Sequence, residues 1–134
     1  MKKISRDEIK KRGLRRCLNS FKYSVQGLTY AYKYEQSMFI HAMFTLVAFI
    51  LNIFLKVSST EWLITLLCLG VVLSIELINT AIEAVVDLVT LEIHPLAKIA
   101  KDCGSAATFV VTMLGIVICI IIYFPYFLKL FGIA

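Results

Sequence analysis

The stretch Glu76-Leu-Ile-Asn79-Thr-Ala-Ile-Glu83-Ala-Val-Val-Asp87 closes a long apolar run that begins at Leu63, and its reading decides the fold. At about 100° per residue, Glu83 and Asp87 fall within roughly 20° of Glu76 around a helix, and Asn79 within roughly 60°. The segment therefore predicts one helix of membrane length, with three carboxylates and an amide in a single stripe at its end. An ionisable group in lipid is costly, so such a stripe has to be hydrated, paired or bound to a metal ion.

Working outward, two more runs are long enough to cross about 30 Å of hydrocarbon. The predicted spans are 38–55, 62–86 and 106–128. The chain has 134 residues, 60% hydrophobic and 17% charged, with a mean hydropathy of +0.84. That composition excludes a soluble domain of this size and predicts one all-α integral membrane domain. No secretory signal peptide is expected, because the residues before Met38 are polar and the first apolar run has no small-residue cleavage site.

Lysine and arginine placement sets an expected orientation. Ten of the 14 basic residues precede the first span: Lys2, Lys3, Arg6, Lys10, Lys11, Arg12, Arg15, Arg16, Lys22 and Lys33. Lys98 and Lys101 lie between spans two and three, whereas the link between spans one and two has only Lys56, opposed by Glu61. The positive-inside rule then puts the N-terminus and the acidic stripe on the cytosolic side of the plasma membrane. The formal charge of +5 is read as a topology and anionic-lipid signal, with no nucleic-acid partner expected. Cys17, Cys68, Cys103 and Cys119 show no paired spacing, so neither disulfides nor thiolate metal sites are expected.

Residues 1–13 read as a polar, frayed start. Over 14–35 the apolar positions Leu14, Leu18, Phe21, Val25, Leu28 and Tyr32 recur at three and four, opposite Arg15, Arg16, Asn19, Lys22, Gln26 and Lys33. That pattern predicts an amphipathic helix on the cytosolic interface, ended by Glu35 where the chain turns into the membrane. His41 and Asn52 read as packing or inter-helix partners, and Trp62 as an interfacial anchor. Thr90 to Cys103 reads as a polar loop with Pro95 as its breaker, and Gly104-Ser105-Ala106-Ala107 as a small-residue contact.

No lysine or arginine lies within the spans to pair with Glu76. A carboxylate in apolar surroundings suits a base that takes a proton from a weak acid such as an alcohol. Glu83 and Asp87, with Glu35 nearby, supply oxygen ligands for a hard divalent cation. There is no glycine-rich phosphate loop, HExxH or GxSxG, so any nucleotide site is unconventional. Three spans enclose little volume, which implies that a full pocket needs neighbouring subunits. The residues alone leave open a small proton-coupled transporter, or a structural subunit without chemistry.

The Glu76–Asp87 stretch, continuing through His94-Pro95-Leu96-Ala97-Lys98 and Lys101-Asp102 and back to Gly27 and Glu35, resembles the signature of the prokaryotic diacylglycerol kinase family. Within it, Glu61-Trp62, Asn79-Thr80-Ala81, His41 and the His94–Lys98 segment are similar to the Gram-positive undecaprenol kinase branch. Gln36-Ser37 departs from that branch, and Gly104-Ser105-Ala106-Ala107 is similar to the diacylglycerol branch. The resemblance implies a homotrimeric, ATP- and Mg²⁺-dependent kinase of a membrane lipid alcohol, undecaprenol or diacylglycerol. It makes Glu76 the general base and Glu35 and Glu83 the metal ligands. It puts Asn79 and Asp87 in the nucleotide pocket, Glu92 and His94 near the base and sugar, and Lys101 and Asp102 by the phosphates. Arg16 and Tyr23 on the surface helix match more weakly as nucleotide contacts.

Overall fold

The computed structural model describes residues 14–133, leaving aside the Arg15 side chain. The basic residues Lys2 to Arg12 and the polar start of the chain lie outside the described residues. The rest is four helices: α1 (Leu14–Tyr34), α2 (Gln36–Phe54), α3 (Ser59–Val89) and α4 (Pro95–Leu130). The last three are long and apolar enough to cross a membrane, and this is an all-α membrane protein.

The breaks between helices follow from local chemistry. Glu35 is extended (φ −103°, ψ 114°) at the start of α2, and its side chain makes no capping bond there. At the other end of α2 the chain reverses in a few residues. Lys56 takes a left-handed φ of 51°. Its N–H donates to Ile53 O at 3.3 Å, and that of Val57 to Asn52 O at 3.3 Å, the paired bonds of a Schellman stop. Ser58 then caps α3: Glu61 N–H donates to its hydroxyl at 3.3 Å, and Ser58 N–H donates to Glu61 Oε2 at 2.7 Å.

The third connection corrects the expectation of a loop over Thr90–Cys103. Helix α4 begins at Pro95, nine residues before Gly104, so Lys98, Lys101 and Asp102 are helical. Proline at the first helical position has its φ preset and loses no hydrogen bond there. His94 caps the helix, its Nδ1 accepting from Leu96 N–H at 3.3 Å. Pro95 starts a helix where it was expected to break one.

Helices α3 and α4 pack along each other more extensively than any other pair. At about 1.5 Å per residue they are roughly 46 and 54 Å long, so both exceed the hydrocarbon thickness. The apolar core sits at the hairpin end, where Val57, Ile122 and Tyr123 gather Leu51, Leu55, Trp62, Ile118 and Phe127. Most large apolar side chains of α2 to α4 point outward, as lipid-facing surfaces do. On α1, Leu14, Leu18 and Phe21 are exposed, and only Ala31 is buried.

Candidate active site

The stripe on α3 forms, and it is graded by depth. Glu76 is 3% exposed and Asn79 8%; Glu83 is half-buried and Asp87 exposed. The four span about 16 Å along the helix. Asn79 Nδ2 donates to Glu83 Oε1 at 3.0 Å, one turn away. Its Oδ1 is buried without a partner and lies over Gly104, where an added Cβ would collide with it. The small residue in α4 is therefore what lets Asn79 occupy this position.

Glu76 is held from α2. The Ser37 hydroxyl donates to its Oε1, and His41 Nε2 stands 3.9 Å from its Oε2. Neither residue was among the candidates read from the sequence. His41 was expected to be a packing or inter-helix residue, and Ser37 was only a departure from a branch pattern. A contact across 39 residues leaves no trace in helical periodicity, although a short polar residue one turn from a histidine was a usable signal.

Beyond Asp87 the stripe opens onto a cleft of about 310 Å³ between the end of α3 and the start of α4. Asp87, Glu92, His94, Lys98, Lys101 and Asp102 line it, so five of the expected nucleotide residues come together there. Lys101 Nζ donates to Asp87 Oδ1 at 2.8 Å, joining α4 to α3. Lys98 pairs with Asp102 on its own helix. Lys101 precedes the apolar run of α4. Its pKa is raised chiefly by the Asp87 hydrogen bond, against a smaller opposing effect of desolvation, with attraction from Glu83 and Glu35 adding to the rise. Glu35, Glu83 and Asp87 thus act on one ammonium group.

Arg16 and Tyr23 are exposed on α1 and do not line the cleft within one chain. Among the described residues no three His, Cys, Asp or Glu side chains converge on one point. Magnesium is commonly held by one or two carboxylates, completed by phosphate oxygens and water. The pair Glu35 and Glu83, with Glu35 not engaged in capping, fits that requirement.

A profile of the prokaryotic diacylglycerol kinase family matches residues 22–123. The chain belongs to that family. It is 36% identical over 112 residues to the undecaprenol kinase of Bacillus subtilis, covering 84% of this chain and 91% of that one. It is 42% identical over 102 residues to a diacylglycerol kinase of Pseudomonas aeruginosa, covering 73% and 80%. A diacylglycerol kinase of Haemophilus influenzae is 37% identical over 106 residues, covering 78% and 90%.

Proposed function

We propose that this chain transfers the γ-phosphoryl group of ATP to undecaprenol, a membrane-embedded alcohol, at the cytosolic face of the plasma membrane. The observation that carries the reading is the graded stripe itself, from a buried carboxylate at Glu76 to an open polar cleft at Asp87. A lipid hydroxyl reaches only the buried end and a soluble nucleotide only the open end, so the phosphates lie along the helix between them.

Glu76 takes the proton from the acceptor hydroxyl, contributing on the order of 10²–10⁴ in rate. Asn79 and Asp87 contact the nucleotide, Glu92 and His94 its base and sugar, and Lys101 with Asp102 its phosphates. Glu35 and Glu83 hold Mg²⁺, which when bound would offset the phosphate charge. The cleft of about 310 Å³ is at the lower end of the usual range for ligand sites, about 300–1,000 Å³. That size supports a homotrimer in which a neighbour's α1, which carries Tyr23 outside the cleft lining of its own chain, completes the site. The excess of basic residues before α2 supports an N-terminus in the cytosol.

The test is purified protein in mixed micelles with labelled ATP and either lipid. The expected outcome is labelled polyprenyl phosphate, with kcat/KM at least about tenfold above that for diacylglycerol, the discrimination that about one methylene of apolar contact supplies. Preference for diacylglycerol would replace the acceptor and keep the reaction. That second reading is favoured by the names of the Pseudomonas and Haemophilus relatives. ATP-independent flux of a solute with no lipid labelling would overturn both.

A further inference from the structure

The two oxygens of Glu76 are not equivalent. Oε1 accepts from the Ser37 hydroxyl. Oε2 accepts no hydrogen bond among the described residues, and His41 Nε2, at 3.9 Å, is too distant to donate one. Ser37 and His41 are four residues apart on α2, hence on one face and one turn apart, and each addresses a different oxygen. His41 also lines an apolar cavity of about 400 Å³ between α2, α3 and α4, which extends as far as Phe127. One oxygen is tethered and the other faces His41, which itself lines that cavity.

We propose that Ser37 is a positioning residue, whose hydroxyl fixes Glu76 so that Oε2 is the oxygen presented to the acceptor alcohol. The proposal rests on Glu76 being the base. A glutamate carboxylate rotates broadly about its last bond, and a misplacement of 1 Å near the reacting atoms can cost about 10² in rate. A single donor on Oε1 restricts that rotation. It also makes Oε1 the poorer proton acceptor, since one of its two lone pairs is engaged, and leaves Oε2 as the more basic oxygen. Ser37 can act as an anchor because its neighbour Met38 is fully buried, which holds the first turn of α2 in place.

The test uses the full chain in nanodiscs, with kcat and KM measured separately for ATP and for the long-chain alcohol. Ser37→Ala should lower kcat about tenfold while both KM values stay within about twofold and the melting temperature is kept. Ser37→Thr, which retains the hydroxyl, should recover most of the rate. Glu76→Asp shortens the side chain out of reach of Ser37, so adding Ser37→Ala to it should cost nothing more. A purely structural hydroxyl would move the melting temperature and leave kcat alone. Wild-type kcat in Ser37→Ala, or fully additive losses in the double variant, would overturn the proposal. If Ser37→Ala does not accumulate, Ser37→Cys keeps the size with a weaker donor; it should show a similar drop in kcat, and wild-type kcat there is equally fatal. An inactive Glu76→Gln beside an unaffected Ser37→Ala removes only the tether, whereas an active Glu76→Gln removes the base itself.

Discussion

The two ends of the helix bundle both bury polar groups, and they use them differently. At the hairpin end, the Tyr123 hydroxyl donates to Asn52 Oδ1 at 2.8 Å and Ala48 O at 3.2 Å, and Tyr126 donates to Glu61 Oε2 at 2.6 Å. These bonds join α4 to α2 and to α3, they surround the apolar core, and the deep ones are between neutral groups. At the acidic end, Glu76 is buried with the Ser37 hydroxyl on one oxygen and His41 3.9 Å from the other. Glu35 and Glu83 are in no ion pair among the described residues. Polar groups that bridge helices and carry no charge hold a membrane bundle together. Buried and half-buried carboxyl groups are costly to maintain, and are kept where a ligand or a reaction uses them.

The sharpest way to break this comparison is at Glu76. Glu76→Gln keeps the size and the hydrogen bond from Ser37 and removes the basic oxygen. Turnover should fall by about 10²–10⁴, with nucleotide affinity and thermal stability close to wild type. Isothermal titration with a non-hydrolysable nucleotide, set beside the lipid phosphorylation rate, checks both halves. If stability collapsed and the residual rate stayed normal, the acidic end would be adhesive like the hairpin end.

Gly104→Ala should have the next largest effect. The new Cβ meets Asn79 Oδ1, so Asn79 has to leave Glu83, and the stripe loses its order. The expected result is a rise of about tenfold or more in KM for ATP if Asn79 contacts the nucleotide as proposed. Combining it with Asn79→Ala removes the collision. The double variant should regain thermal stability without regaining nucleotide affinity, which separates a packing fault from the loss of a contact.

Much of this was legible in the sequence, for physical reasons that differ by element. The three spans and the Glu76–Asp87 stripe followed from apolar length and the 3.6-residue period, both properties of a single helix. The break at Glu35 followed from an amphipathic pattern giving way to a uniform one. The start of α4 is not legible in the same way, because Pro95 reads as a breaker. Proline is equally at home on the first turn of a helix, and Lys98 and Asp102, four residues apart, already formed a helical ion pair. Ser37 and His41 acquired meaning only when α2 was laid against α3, because which faces of two helices meet is a tertiary fact. The same holds for Gly104, whose closeness to Asn79 was readable as a small-residue contact but not as a specific partner.

The mildest test is on the helix that runs through both ends. Ser58 caps α3 at the hairpin, 18 residues before Glu76 and so about 27 Å away along the axis. Ser58→Ala removes one half of the capping box and should cost about 1 kcal/mol, visible as a lower melting temperature in detergent. Tyr126 still donates to Glu61, so fraying should stop within the first turn, and kcat for the folded protein should be unchanged. A helix backbone transmits a disturbance only if its hydrogen-bond ladder shifts, and a lost cap does not shift the ladder two turns further in. A fall in kcat would therefore mean that α3 moves as a rigid rod between its ends, with the hairpin setting the depth at which Glu76 meets the acceptor.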